Sequence, residues 1–127
     1  MRTAWSALWG LRREMDHPDR FVPLLRQAWS IRSSSLWTAE NPAAGQCGVT
    51  SLVLQDIFGG DILFTRVRGR LHFYNRINEH RFDLTTSQFE SPVEYEDLSC
   101  TRDFVFTDCT RAQYKALKDD LDALLSG

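Results

Sequence analysis

The sequence has few cysteines, little net charge and no long apolar run, and each of these absences excludes a class of protein. Its three cysteines, Cys47, Cys100 and Cys109, are an odd number without zinc-finger spacing, so we expect reduced thiols, a cytoplasmic location and no structural zinc or other cofactor. A formal net charge of −2 gives no electrostatic reason to expect a nucleic-acid partner. No apolar stretch approaches the roughly 20 residues that span a bilayer, and we expect neither a signal peptide nor a membrane partner.

The composition is that of a folded globular protein, because 43% of the 127 residues are hydrophobic and 25% are charged. A chain of this length can bury its own core, so we expect one domain over residues 1–127. We expect N-terminal helices at about 2–32, a core at about 36–90 and a C-terminal helix at about 110–125.

Apolar residues recur every three or four positions in several segments, and this spacing predicts helices. The segments run from Asp19 to about Ser30, from about Cys47 to Phe58 and from about Thr110 to Leu125, with a weaker pattern at 2–14. Two glycines follow Phe58 and are typical of a helix end.

After the second of these segments the apolar period changes to two, which predicts strands. The predicted strands cover Ile62–Val67, Leu71–Ile77, Arg81–Leu84 and Asp103–Phe106. Short turns join the first three strands, so we expect antiparallel hairpins. The sequence therefore predicts an α+β fold in which a helix carrying a cysteine at its N-terminus packs on a small antiparallel sheet.

Cys47 occupies a position that suits a nucleophile, since it follows a loop at Thr38–Gln46 and opens the buried second helix. Free backbone N–H groups and the positive end of the helix dipole stabilise a thiolate at such a place. The same groups can stabilise the oxyanion that forms when a thiolate attacks a carbonyl. We expect the Gln46 side chain or the Cys47 backbone N–H to be the oxyanion donor.

A thiolate nucleophile needs a base and a group that orients the base, and His72 and Asp83 are the candidates. If a two-residue turn is centred between Asn78 and Glu79, His72 lies opposite Thr85 and Asp83 lies on the same face as His72. A three-residue turn without a bulge would place Asp83 on the wrong face. Each of these residues taken alone is more often structural than catalytic, so the proposed triad depends on the strand register.

Other residues near these positions are candidate oxyanion or substrate-binding groups. Gly48 would allow a substrate backbone to approach the cysteine closely. Trp37 is interpreted as either a core residue or a wall of a cleft. The remaining candidates for substrate binding are Gln46, Tyr74, Asn75 and Gln88.

Three segments in fixed order resemble the YunG-like bacterial protein family. They are N-P-x-x-G-Q-C at 41–47, H-x-x-N-R at 72–76 and D-L-T-x-x-Q-F at 83–89, and the likeness covers about residues 36–90. In its order of Cys, His and Asp, the core is also similar in arrangement to papain-like and transglutaminase-like cysteine enzymes. These resemblances imply that Cys47, His72 and Asp83 act together in a papain-like or transglutaminase-like core.

The first functional hypothesis is therefore a cysteine-dependent acyl-transfer enzyme, either a hydrolase or a transferase, that acts on an amide or thioester of a small molecule or peptide. The alternative is a non-catalytic peptide or small-molecule binding module with a degenerate triad. A third hypothesis places a metal ion between the same three side chains. The sequence leaves the substrate, the acceptor and the oligomeric state open.

Overall fold

This computed structural model describes residues 17–126. They form helices and one small antiparallel sheet. This architecture confirms the predicted α+β class. The helix predicted at 2–14 lies outside the described residues.

Four α-helices form in the described part of the chain: α1 at Val22–Ala28, α2 at Cys47–Phe58, α3 at Arg102–Val105 and α4 at Arg111–Ser126. The prediction for α2 is confirmed at both ends, and the one for α4 is confirmed within a residue. The predicted first helix is instead divided into a 3-10 turn and the short α1. Pro23 lies in the first turn of α1, where a missing N–H leaves no hydrogen bond unmade.

The sheet contains β1 at Asp61–Val67, β2 at Arg70–Ile77, β3 at His80–Phe82 and β4 at Leu98–Cys100. Its strand order is β3-β2-β1-β4, and every neighbouring pair is antiparallel. The sheet therefore places β2, the strand that carries His72, between β1 and the short β3.

The β2–β3 connection is a two-residue turn, as the triad prediction requires. Ile77 pairs with His80, and the two turn residues Asn78 and Glu79 have φ values of 51° and 68°. Left-handed conformations at both central residues match the right-handed twist of a hairpin. The register of this hairpin is therefore the one that places Asp83 on the face of His72.

The prediction of a strand at Asp103–Phe106 is wrong, because most of that segment belongs to the helix α3, Arg102–Val105. The Thr101 hydroxyl accepts a hydrogen bond from the Phe104 N–H at 3.2 Å and caps the helix. This cap gives the Phe104 N–H a hydrogen-bond partner at the start of the helix and so favours a helix over a strand. The fourth strand is formed just before it by β4, which pairs with β1.

Helix α2 lies at the centre of the hydrophobic core and is buried along most of its length. It packs against β2 on one side and against α4 on another. Val49, Leu52 and Val53 are fully shielded from solvent. The N-terminus of α2, and with it Cys47, is consequently held by contacts with both the sheet and the helices.

The longest helix, α4, is amphipathic. Ala116, Leu117 and Leu121 are its buried residues, and the helix packs against α1 and α2. Its other face carries charged side chains in contact with solvent, including Lys115 and Asp119. Within residues 17–126, no helix is both long and apolar enough to cross a bilayer.

Replacing Gly60 by alanine is expected to destabilise the fold more than the same change at Gly69. Both glycines have positive φ, at +75° and +79°, so alanine costs roughly 1–2 kcal/mol at either site. A Cβ at Gly60 would also lie 2.3 Å from the backbone oxygen of Arg76, whereas one at Gly69 would meet nothing within 4 Å. The clash adds about 1–3 kcal/mol at Gly60.

Urea unfolding of the two variants measures this difference directly. A loss of unfolding free energy that is equal for Gly60→Ala and Gly69→Ala would contradict the close approach of the α2–β1 connection to β2.

Candidate active site

Cys47 is the first residue of α2 and one of the residues that line an open cleft. Its side chain is largely shielded, and the residue is 5% exposed. No side chain caps the N-terminus of α2, because the Gln46 side chain makes no capping hydrogen bond. The backbone N–H groups of the first turn are therefore available to stabilise negative charge at the cleft.

His72 lies in β2 beyond the last residue that pairs with β3, and its side chain is 1% exposed. Its Nε2 lies 2.7 Å from Oδ2 of Asp83. The edge of the Phe89 ring and the stacked Tyr74 ring contact the imidazole at centroid distances of 4.8 Å and 5.9 Å. These contacts fix the ring plane, so the second ring nitrogen has a defined direction.

The second nitrogen of His72, Nδ1, is buried and makes no hydrogen bond to any residue of the described part of the chain, 17–126. Because Asp83 occupies Nε2, Nδ1 is the nitrogen left for the nearby Cys47 thiol. Burial lowers the pKa of His72, but the hydrogen bond to Asp83 and the polar and charge interactions with Asp83 and Cys47 outweigh it and raise the pKa to about 9. The ring is therefore an imidazolium at neutral pH, with one acidic group on each side.

Asp83 accepts hydrogen bonds from several donors although its side chain is only 5% exposed. Oδ2 accepts from His72 and from the hydroxyl of Tyr95, which lies 2.8 Å away. Oδ1 accepts from the N–H and the hydroxyl of Thr85 at 3.3 Å and 3.4 Å. Buried carboxylates need such compensation, and here both oxygens receive it.

Gln88 joins the surroundings of the carboxylate to the loop that precedes Cys47. Its Nε2 donates to the Thr85 hydroxyl at 3.1 Å, and its Oε1 accepts from the N–H of Gly45 at 3.2 Å. Since Thr85 also contacts Asp83, a continuous chain of hydrogen bonds runs from Asp83 to two residues before the thiol. Gln88 also lines the cleft, as the substrate-binding prediction requires.

The cleft has a volume of about 1120 Å³ and contains both Cys47 and His72 in its wall. Its lining includes charged residues of both signs, which are Arg66, Arg68, Arg70, Glu90, Glu94 and Asp108. A smaller cavity of about 590 Å³ lies against the β2–β3 turn and is lined by neither Cys47 nor His72. The larger cleft is therefore the place where a substrate could meet the thiol.

The position of Gln46 corrects the prediction that its side chain donates to an oxyanion. Gln46 is fully buried, and its Nε2 donates to the backbone oxygen of Ser30 at 3.3 Å. The residue does not line the cleft. The Cys47 backbone N–H, the other predicted donor, remains the better candidate.

Gly48 and Asn75 also face the interior instead of the cleft. A Cβ on Gly48 would lie 3.3 Å from Sγ of Cys109 and 3.4 Å from a methyl group of Val105, so its small size serves internal packing and not substrate approach. Asn75 donates through Nδ2 to the backbone oxygen of Ser51 at 3.0 Å and ties β2 to α2. Neither residue is placed to bind a substrate.

Tyr74 supports the site through its contact with His72, whereas Trp37 packs against the hydrophobic core. Tyr74 stacks on His72, and its hydroxyl donates to Oδ1 of Asp97 at 3.0 Å while accepting from the Asp97 N–H at 2.8 Å. The buried indole N–H of Trp37 has no hydrogen-bond partner among residues 17–126. For Trp37 the geometry favours the core interpretation over the cleft wall.

Sequence reasoning missed Tyr95 and Thr85, which both bind the Asp83 carboxylate. Tyr95 lies in an irregular segment before β4, where the alternation of Val93, Glu94, Tyr95 and Glu96 is too short to show that the segment contacts Asp83. Thr85 follows Asp83 by two residues, a spacing at which an aspartate often accepts from the backbone N–H in a local turn. That spacing could have identified Thr85 from the sequence alone.

The positions of Cys47, His72 and Asp83 do not support the hypothesis of a metal site. Asp83 lies at Nε2 of His72, so Cys47 is left with Nδ1 on the other side of the ring and the three side chains do not converge on one point. Across residues 17–126, no group of three or more His, Cys, Asp and Glu is arranged to hold a metal ion.

Fold and site together define an α+β protein in which a cysteine at a helix N-terminus, a strand histidine and an aspartate form one buried cluster. A profile of the YunG protein family matches residues 17–126, so the chain belongs to this family. The chain is 49% identical over 96 residues to a Bacillus subtilis (strain 168) protein named "Uncharacterized protein YunG", which covers 76% of this chain and 84% of that protein. No solved structure matches the chain, so the comparisons give no support to a papain-like core.

His72 is expected to stay protonated through neutral pH and to lose its proton near pH 9, since its pKa is raised to about 9. Asp83→Asn removes the negative charge beside Nε2, so we expect the titration midpoint of His72 to fall by roughly 1–2 units. Imidazole ¹⁵N chemical shifts recorded from pH 5 to pH 11 measure both midpoints. A neutral His72 ring at pH 7 in the unmodified protein would contradict this description of the site.

Proposed function

We propose that this protein is a cysteine-dependent acyl-transfer enzyme that acts on an amide or thioester through Cys47, His72 and Asp83. The observation that carries the proposal is the division of the two His72 nitrogens. Nε2 is bound to Asp83, whereas Nδ1 is buried, makes no hydrogen bond within residues 17–126 and belongs to a ring that interacts with Cys47. A base that is oriented by a carboxylate and directed at a nucleophile is the arrangement that covalent acyl transfer requires.

In the first step, the thiolate of Cys47 attacks the carbonyl carbon of the substrate, and the carbonyl π electrons move to oxygen. Backbone N–H groups at the start of α2 stabilise this oxyanion. The tetrahedral intermediate then collapses, the bond to the leaving amine or thiol breaks, and Nδ1 of His72 supplies the proton that the leaving group takes. The product of this step is a thioester on Cys47 and a neutral His72.

In the second step, an acceptor attacks the thioester and His72 removes the proton of the acceptor through Nδ1. The C–S bond breaks, and the imidazolium and the thiolate are restored together. Water as the acceptor gives hydrolysis, while an amine gives a new amide. Asp83 holds the imidazole in one orientation and stabilises its charged form in both steps.

The shape of the cleft supports a small or terminal acyl group as the substrate. Its volume of about 1120 Å³ lies just above the range of roughly 300–1,000 Å³ that is typical of small-molecule sites. Charged residues of both signs line it together with apolar residues such as Leu71 and Phe89. A small amide or thioester, or the end of a peptide, fits these dimensions and this mixed lining.

Burial of the charged pair supports catalysis over the alternative of a non-catalytic binding module. The side chains of His72 and Asp83 are 1% and 5% exposed, and removing such groups from water is costly. A binding cleft could be lined by neutral groups without this cost. The order Cys, His and Asp along the chain resembles that of papain-like and transglutaminase-like enzymes. This shared order also favours catalysis over binding alone.

Iodoacetamide is expected to label Cys47 at least 100-fold faster than Cys109 at pH 7. Burial raises the pKa of Cys109 to about 11, so only about one molecule in 10⁴ carries that thiolate at pH 7. Burial also raises the pKa of Cys100. Cys47 instead lines the cleft at the N-terminus of α2, where the reagent can reach it beside His72.

Peptide-resolved mass spectrometry measures the three labelling rates in one sample. His72→Gln keeps a side chain of similar size, removes the base and should reduce the rate at Cys47 towards that of Cys100. In urea the three cysteines should react at similar rates. Slow labelling of Cys47 in the folded protein, unchanged in His72→Gln, would reject the proposed nucleophile.

Incubation with small acyl thioesters should give an acyl adduct on Cys47 that intact-mass spectrometry detects. Cys47→Ala should abolish the adduct with little loss of folding, because it removes one small buried side chain. Asp83→Asn should slow acylation by roughly two to four orders of magnitude, because an amide no longer fixes the imidazole in the required tautomer. Unchanged acylation in Asp83→Asn would remove Asp83 from the mechanism.

A further inference from the structure

The Asp83 oxygen that binds His72 is shared with a second strong donor. Oδ2 accepts from Nε2 of His72 at 2.7 Å and from the hydroxyl of Tyr95 at 2.8 Å. The two donors on Oδ1 are more distant, and both belong to Thr85, two residues along the chain. The shortest contacts of this buried carboxylate are therefore with His72 and Tyr95.

Tyr95 is held in place by a set of contacts that keep its hydroxyl directed at Asp83. Its ring packs edge to face against Tyr74 at a centroid distance of 4.8 Å, and the Arg81 guanidinium lies 4.2 Å above it. Arg81 is itself fixed by a bidentate pair with Asp97, at 2.8 Å and 2.5 Å. The phenol is thus positioned by β2, β3 and the segment before β4 together.

The Tyr95 hydroxyl acts as a donor throughout the neutral range. Burial, followed by the adjacent Asp83 carboxylate, raises the pKa of Tyr95 to about 12. A protonated phenol beside a carboxylate donates its hydrogen, and a donated hydrogen bond withdraws negative charge from the accepting oxygen. That oxygen is the one that stabilises the His72 imidazolium.

We infer that Tyr95 is a positioning residue of the site, which fixes the Asp83 carboxylate and moderates the negative charge that His72 experiences. This inference rests on the proposed function, because it assigns a part in proton transfer to the same three residues. With the phenol present, the imidazolium releases its proton to a leaving group more readily. Without it, Asp83 would hold the imidazolium more tightly.

Other groups around His72 bear on its protonation and define the control experiments. Asp83 and Cys47 interact with the ring directly, and Tyr74 stacks on it. The charged pair formed by Arg81 and Asp97 lies behind the two tyrosines. The charged residues that line the cleft together with His72 are Arg66, Arg68, Arg70, Glu90, Glu94 and Asp108.

Tyr95→Phe tests the inference, because it removes the hydroxyl and keeps the ring that packs against Tyr74 and Arg81. We expect the titration midpoint of His72, followed by its ¹⁵N shifts in the full-length protein, to rise by roughly half a unit to one unit. We also expect slower formation of the acyl adduct on Cys47, because a more basic imidazole is a weaker acid towards the leaving group.

Tyr114→Phe is the matched control. Tyr114 is another half-buried tyrosine whose hydroxyl donates to an aspartate, Asp56, and its pKa is likewise raised to about 12. Asp56 is in the last part of α2, roughly 14 Å along the helix from Cys47 at about 1.5 Å per residue. We expect this variant to leave the His72 midpoint unchanged.

An unchanged or lower His72 midpoint in Tyr95→Phe, or an equal rise in Tyr114→Phe, overturns the inference. Failure of the proposed function is seen separately in the same samples, as slow iodoacetamide labelling of Cys47 in the unmodified protein. A raised midpoint with fast labelling of Cys47 supports both.

Discussion

The site depends on one buried hydrogen bond, which joins the His72 imidazole to the Asp83 carboxylate at 2.7 Å. A charged pair with so little solvent contact is stable only when its geometry is good and its remaining polar atoms are satisfied. Thr85 and Tyr95 supply the remaining donors to the carboxylate. The rings of Tyr74 and Phe89 exclude water from the imidazole.

That hydrogen bond in turn depends on the register of a two-residue turn. If β3 paired with β2 one residue further along, every side chain of β3 would change faces and Asp83 would point away from His72. Asn78 and Glu79 accept left-handed backbone conformations to keep the observed register. The strain of Glu79, a residue that seldom adopts positive φ, is offset by the buried pair that the register creates.

Patterns that repeat along the chain could be predicted from the sequence. The bounds of α2, the first two hairpins and the contact between His72 and Asp83 all follow from apolar periodicity and from the length of one turn. The family membership was likewise visible in three short segments, and a family profile over residues 17–126 now shows it.

Features that depend on a single long-range contact could not be predicted. Tyr95 reaches Asp83 from an irregular segment, and no local pattern states where such a segment folds. A strand was predicted at the position of α3 because Phe104, Val105 and Phe106 are apolar residues that are common in strands, whereas the cap by Thr101 favours a helix. Gln46 was expected at the cleft because it precedes the cysteine, yet the chain direction turns its side chain towards Ser30.

The close packing around Gly48 limits how far the adjacent residue Cys47 can move. The space beside this residue is occupied by Cys109 and Val105, and a single added methyl group would force them or α2 to move by a few tenths of an ångström. Small displacements matter more for a reacting pair than for a folded chain, because reaction rates fall steeply with misalignment. For the proposed mechanism, the position of Cys47 is therefore set from inside the protein, by the packing around Gly48.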